Sequence, residues 1–230
     1  LHKEYRRQRQ MCIRDSSIAA VITLFCIAIG LPYAMLAASV TGWKRNILLL
    51  AVLLPLWTSL LVRTAAWFIL LQDQGLINRT LMDLGLISGP LPLIFNRAGV
   101  IVAMTHVLLP FMVLPIYSVI TAIPKNLMPA AASMGASPLR AFWRVLLPLS
   151  LPGVLSGSLL VFMVAIGYYI TPALVGGPND QMISSIIAFY ALQTANWGMA
   201  GALGIILLVV TTLLYVVYNR LSRNGAPLGA

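Results

Sequence analysis

Leu127-Met-Pro-Ala-Ala-Ala-Ser-Met-Gly-Ala-Ser-Pro-Leu-Arg-Ala-Phe-Trp-Arg-Val-Leu-Leu-Pro-Leu-Ser-Leu-Pro-Gly153 reads as two short helices joined by a turn. Pro129 suits the first position of a helix, where its missing N–H is not needed, and Ala130, Ala131, Ala132 and Ser133 form the body. Gly135 can end that helix in the left-handed conformation that other residues resist. Ser137 is then an N-cap and Pro138 the first residue of a second helix. On that helix Phe142, Val145 and Leu146 share one face, while Arg140 and Arg144 stack four apart on another. The product is a water-exposed knob of small residues, followed by an amphipathic ramp into Pro148 and Pro152, and a soluble partner is the natural thing for it to fit.

The knob lies between two stretches without a charged residue, 98–124 and 145–179, and further uncharged runs cover 16–43, 46–62 and 181–219. Most exceed the ~20 residues that a helix needs to cross a bilayer. Of the 230 residues, 60% are apolar and only 9% charged, against roughly 25% charged in ordinary globular chains. A water-soluble protein is excluded. The composition predicts an all-α, polytopic membrane protein with spans at 17–39, 46–70, 98–121, 152–173 and 196–218. Backbone exposed to lipid must satisfy its own hydrogen bonds, and the alternating strands of a barrel would not leave uncharged runs of this length. Pro32, Pro55, Pro110 and Pro115 fall inside the runs and mark kinks.

The net charge of +10 does not point to nucleic acid, because the Lys and Arg residues flank the apolar runs. Lys44, Arg45, Lys125, Arg140, Arg144, Arg220 and Arg223 all fall on one side of the five spans, which the positive-inside rule makes the cytoplasm. The opposite side receives the loops 72–97 and 174–195, with Asp73, Arg79, Asp83, Arg97 and Asp180. Residues 220–230 are thus a cytoplasmic tail.

The N-terminal stretch breaks this pattern, since five spans would put Lys3, Arg6, Arg7, Arg9 and Arg14 outside. A genuinely external basic arm, a different span count or sequence foreign to the native protein would each account for it. The third is preferred. Met11-Cys12-Ile13-Arg14-Asp15-Ser16 is the translation of ATG TGT ATA AGA GAC AG, which looks like a sequencing-library adapter. Residues 1–16 are therefore read as foreign or mis-joined, with a further helix expected ahead of Ser17.

The knob resembles the signature loop of the inner-membrane permease subunits of binding-protein-dependent ABC importers. That signature runs Glu-Ala-Ala, three residues, Gly, nine residues, Ile, one residue, Leu-Pro. Ala130, Ala131, Gly135, Val145 and Pro148 match it in register, Val145 standing for Ile and Pro129 for the Glu. Leu54-Pro-Leu-Trp-Thr-Ser-Leu-Leu-Val-Arg63 and Tyr169-Ile-Thr-Pro-Ala-Leu-Val-Gly-Gly177 look like the spermidine/putrescine branch. The resemblance implies a type I importer permease whose five visible helices are the second to sixth of a six-helix core, residues 17–219, with the coupling loop at 122–151. It implies import of a small organic solute, a polyamine by branch. It also implies a pair of ATP-binding subunits, a second permease subunit and an extracytoplasmic solute-binding protein as partners in a bacterial inner membrane. Within the loop it assigns coupling to Pro129, Ala130, Ala131, Gly135, Ala136, Pro138, Arg140, Phe142 and Arg144.

No GxxxxGK[ST] phosphate loop exists and none of Lys3, Lys44 or Lys125 follows a glycine-rich turn, so ATP would be bound by another subunit. Paired carboxylates, a nucleophile elbow and a metal cluster are absent from the sequence; Cys12, Cys26, His2 and His106 are too few and too scattered. No cofactor, metal site or enzyme activity is expected in this chain. An ion-gradient transporter is the alternative, but it would want intramembrane carboxylates, and every Asp and Glu lies in a loop or near the N-terminus.

Candidate pathway residues are Arg63, Tyr169 and Thr171. A guanidinium at mid-depth is costly enough to suggest function, while a long stem that snorkels to the outer headgroups is an equal alternative. Tyr168 and Tyr169 also fit an interfacial aromatic belt. His106 reads as a packed, hydrogen-bonded histidine. Gly198, Gly201 and Gly204 would let another helix approach closely. Residues 76–87 read as a short amphipathic helix on the outer surface, and Asn78-Arg-Thr80 has the form of a glycosylation acceptor.

Overall fold

The computed structural model describes residues 2–177 and 182–225, with side chains left aside at 2–13, 217–218 and 220–225. Asp180 and residues 226–230 of the tail lie outside the described residues. All regular structure among the described residues is helical. In chain order the helices are α1 (His2–Ser39), α2 (Trp43–Trp57), α3 (Leu60–Leu70), α4 (Leu76–Asp83), α5 (Arg97–Ala122), α6 (Leu127–Ser133), α7 (Pro138–Ala141), α8 (Leu147–Gly167), α9 (Ile170–Val175), α10 (Ile183–Leu192) and α11 (Trp197–Gly225). A π-helical turn, Phe142–Leu146, joins α7 to α8.

Four stretches are long and apolar enough to cross a membrane, Arg14–Ser39, Arg97–Ala122, Pro138–Gly167 and Trp197–Val216, and the bent pair α2 and α3 supplies a fifth. The pair is one crossing, not a re-entrant loop, because α1 and α5 run parallel. Arg97 donates to the Ser17 hydroxyl at 2.8 Å near the start of both, and Gly30 lies against Met112 further along both. The chain must therefore cross back between them. α1, α5 and α8 form the core. Ile18, Ile22 and Cys26 of α1 meet Val100, Met104, Leu108, Met112 and Ile116 of α5, a row repeating every four residues, and Val154, Val161 and Ala165 of α8 close the third side. α5 is the most buried of the four long spans, with a strip at Val102 and His106 left exposed.

Between helices in lipid there is no hydrophobic driving force, so close backbone approach and dispersion must hold them. Gly153 and Gly157 of α8 supply that approach. A Cβ on Gly153 would meet Ile116 Cα at 2.9 Å, and one on Gly157 would meet Met112 Sδ at 2.9 Å. The glycines singled out in the last span do not act this way among the described residues, where Gly201 and Gly204 have nothing within 4 Å of a Cβ.

Two expected spans are interrupted. The span predicted at 46–70 breaks at Thr58 and Ser59, and its halves meet at 100°. Pro55 gives no N–H to the last turn of α2, and the Thr58 hydroxyl donates to the Pro55 carbonyl at 2.8 Å instead of letting the helix continue. The span predicted at 152–173 ends at Gly167. In a continuous helix residue 172 would donate to the carbonyl of Tyr168, but Pro172 has no N–H, and that carbonyl accepts from the Ser184 hydroxyl at 2.6 Å. Pro32, Pro110 and Pro115 lie inside helices that continue through them. α1 runs through residue 16 without a break, and Asp15 is buried, accepting from the N–H of Ile183 at the start of α10 at 2.6 Å.

The amphipathic helix expected at 76–87 is α4. Its Asn78 is fully buried, donating to the carbonyls of Gln72 and Leu91 and accepting from the N–H of Leu91, so it ties the segment 72–91 together and is not presented as a glycan acceptor.

Gly153→Val should destabilise the bundle by about 1–3 kcal/mol through overpacking against the α5 backbone, read as a lower midpoint of thermal unfolding in detergent. Gly201→Val should leave the midpoint unchanged, because open space receives the side chain.

Candidate functional site

Two regions carry the residues that the sequence singled out. At one end of the bundle, α6 and α7 form the predicted helical hairpin. α6 begins at Leu127, two residues earlier than its alanines suggested, so Pro129 stands third in the helix; its missing N–H is harmless there too, because the first four N–H groups of a helix have no partner within it. Gly135 adopts φ +80°, its N–H donates to the Ala132 carbonyl, and the N–H of Ala136 donates to the Ala131 carbonyl. These two bonds are the paired closure of a Schellman motif, which needs a left-handed residue at this position. Ser137 caps α7 by accepting from the Arg140 N–H at 3.4 Å, with Pro138 next to it.

Ala131 and Ala141 are buried where the two helices meet, and Ala136 and Phe142 are half-buried. Pro129, Ala130, Gly135, Pro138, Arg140 and Arg144 are exposed. In the π-helical turn the N–H of Leu147 donates five residues back, to Phe142, and Phe142, Val145 and Leu146 all keep the half-buried side. Sequence reasoning missed the apolar part of the exposed surface: Met134 is 82% exposed, Leu139 68% and Trp143 60%. Leu139 and Trp143 stand four apart, a spacing that could have revealed them.

The second region forms where the two interrupted spans meet. Arg63 lies in the first turn of α3, and its guanidinium donates to the Thr58 carbonyl at 3.2 Å while its Nε is buried without a hydrogen-bond partner. Thr64, next in sequence and fully buried, shares a hydrogen bond with Thr171 of α9 at 3.2 Å between hydroxyl oxygens. One turn on, Trp67 donates from its indole nitrogen to His106 Nδ1 at 3.1 Å, the rings meeting edge to face at 5.4 Å. His106 and Tyr168 both lie within electrostatic reach of Arg63, and Tyr168 also interacts with the Thr171 side chain.

Arg63 and Thr171, two of the candidate pathway residues, are therefore brought together, with Thr64, Trp67, His106 and Tyr168 added. Tyr169, the third, is 38% exposed and stands outside this cluster. Arg63 does not snorkel freely, since the carbonyl at the break holds it. His106 is hydrogen-bonded, as expected, but it is exposed and not packed away. Among the described residues no group of three or more His, Cys, Asp or Glu is placed to hold a metal ion.

This architecture, an all-helical bundle with interrupted spans and an exposed helical hairpin between two of them, is that of a transport permease. The chain belongs to the family described as binding-protein-dependent transport system inner membrane component, whose model matches residues 30–224. It is 35% identical over 214 residues to the spermidine/putrescine transport system permease protein PotB of Escherichia coli (strain K12), covering 93% of this chain and 78% of that protein. It is 29% identical over 226 residues to the inner membrane ABC transporter permease protein YdcU of the same bacterium, covering 93% and 72%. Among solved structures, the inward-facing MetNI methionine ABC transporter aligns with a TM-score of 0.71 at 20% identity, over 94% of this chain and 95% of that one. The bacterial alginate ABC transporter in complex with alginate pentasaccharide-bound periplasmic protein aligns at 0.70, also with 20% identity, over 96% and 81%. At that identity the likeness concerns the fold. The chain is thus a multi-pass inner-membrane transport subunit of the ABC importer class and not an enzyme, and the ion-gradient alternative gives way.

Trp67→Phe keeps an aromatic ring beside His106 and removes the indole donor. It should cost about 0.5–1.5 kcal/mol, the net worth of one hydrogen bond, measured by thermal unfolding in detergent.

Proposed function

We propose that this permease carries a polyamine, with spermidine and putrescine as the first solutes to test, and that it works with a pair of ATP-binding subunits, a second permease subunit and an extracytoplasmic solute-binding protein. The observation that carries the solute is the 35% identity to a spermidine/putrescine permease across 93% of the chain. The periplasmic protein present with the alginate transporter supports the last partner.

The hairpin of α6 and α7 is the element that meets the ATP-binding subunits. Its exposed apolar side chains Met134, Leu139 and Trp143 would lose contact with water in such a complex, a favourable change. Arg140 and Arg144 would pair with acidic groups around them. Pro129, Ala130, Ala131, Gly135, Ala136, Pro138 and Phe142 shape the surface. Closure of the ATPase pair would move this hairpin, and the helices α7 and α8, continuous through the π-helical turn, would carry the motion as a rigid-body switch. The hairpin end is cytoplasmic, in keeping with Lys44, Arg45 and Lys125 beside it, and the C-terminus lies on the same side.

At the opposite end, the junction of α3 and α9 is the outer part of the path, with Arg63, Tyr169 and Thr171. The exposed Tyr169 ring offers a π face to a solute ammonium group.

The test is uptake of radiolabelled putrescine and spermidine into vesicles holding the assembled importer. Uptake should require ATP and the binding protein; uptake without ATP that collapses with a protonophore would overturn the reading. Gly135→Val should uncouple hydrolysis from uptake or weaken co-purification of the ATPase. Strain in the left-handed turn costs roughly 1–2 kcal/mol, and since no described residue lies within 4 Å of a Cβ there, any further loss reports on the partner. Normal coupling in this variant would remove the hairpin from the mechanism.

A further inference from the structure

Arg63 presents a conflict that its position alone does not resolve. It stands in the first turn of α3, the positive end of that helix's dipole, where a cation is unfavourable. Among the described residues no carboxylate pairs with it. A cationic solute passing beside it would be repelled. What the guanidinium does meet is the last carbonyl before the break, that of Thr58, at the negative end of α2. One residue after Arg63 comes Thr64 with its bond to Thr171, and four after it comes Trp67 with its bond to His106. The three contacts lie along one side of α3 and reach α2, α9 and α5 respectively.

Building on the reading of the α3 and α9 junction as the outer part of the path, we infer that Arg63 is a positioning residue for transport: its bond to the Thr58 carbonyl sets the angle between α2 and α3 and so holds Thr64 against Thr171 and Trp67 against His106. The break denies that carbonyl the N–H partner a continuous helix would give it, and a charged donor is the strongest replacement available. With the bond made, α3 has one seating on its neighbours. Without it, α3 can swing about the two extended residues Thr58 and Ser59.

The experiment uses the assembled importer in membrane vesicles, with Thr64→Cys and Thr171→Cys introduced together and oxidation by copper phenanthroline. The disulfide-linked peptide pair is quantified by mass spectrometry, which separates it from any product of Cys12 or Cys26. Arg63→Ala should slow formation of the 64–171 disulfide by about tenfold, the scale of a charge-assisted hydrogen bond, and Arg63→Lys should keep it within about threefold. With Thr64 and Thr171 intact, Arg63→Ala should lower the maximal rate of putrescine uptake and leave KM unchanged. A parental cross-linking rate in Arg63→Ala overturns the inference, as does a raised KM with unaltered cross-linking, the signature of direct solute contact. If Arg63→Ala fails to accumulate, Arg63→Gln replaces it, with an intermediate rate expected and a parental one counting against. Cross-linking needs no solute, so slow cross-linking in Arg63→Ala together with no putrescine uptake by the wild type would sink the solute assignment and leave the positioning role standing.

Discussion

A backbone carbonyl set free inside a bilayer has no water to turn to, and leaving it bare costs several kcal/mol. This constraint governs both interrupted spans. Where Pro55 and Thr58 end α2, the Thr58 hydroxyl closes on the Pro55 carbonyl and Arg63 takes the Thr58 carbonyl. Where Pro172 prevents α8 from running on, Ser184 takes the Tyr168 carbonyl. Each interruption is thus matched by a side-chain donor, from the next half-helix in one case and from α10 in the other. The half-helices α3 and α9 owe their positions to these substitutions, and their shared Thr64–Thr171 bond follows from both being in place.

The regular part of the bundle obeys a different requirement. With lipid as apolar as leucine, helices are held by close fit and not by exclusion of water. α5 meets this with four-residue rows of Met, Leu and Ile, and α8 with two glycines that let it settle onto the α5 backbone. The rigid trio α1, α5 and α8 is consequently the frame against which the half-helices and the hairpin are placed. Because α8 reaches the hairpin through a π-helical turn and ends at the Tyr168 break, one continuous element touches both candidate regions.

Much of this was legible in the sequence where the cause was local. Uncharged runs gave the crossings, Gly135 and Ser137 marked the hairpin turn and its cap, and the amphipathic pattern at 76–87 gave α4. The misses have a common origin in contacts between distant segments. Pro55 signalled a disturbance, yet three other prolines sit in helices that continue, so the residue alone does not tell a kink from a break. Arg63 was weighed as a pathway or snorkelling group because a continuous helix has no spare carbonyl five residues back; only the break creates one. Tyr168 and Tyr169 were read together as an interfacial belt with Tyr169 kept as a candidate, and only the interruption at 168 separates them, so that Tyr168 joins the cluster and Tyr169 does not. His106 finds Trp67 across two helices, a pairing with no sequence signal. Small-residue spacing was seen at Gly198, Gly201 and Gly204, but such spacing shows only that a backbone can be approached, not by which helix; the glycines used within the chain are Gly153 and Gly157.

The last helix stands apart from that frame. Up to Val216 most of its side chains face away from the other described residues, and among those residues no atom lies within 4 Å of a Cβ at Gly201 or Gly204. In the two-stage picture of membrane folding, insertion of a helix and its docking are separate events with separate free energies. α11 has all that the first needs in its hydropathy and little of what the second needs from its own chain. What docks it therefore lies beyond the described residues, and by mass action the stability of the docked state rises with the availability of whatever covers that helix.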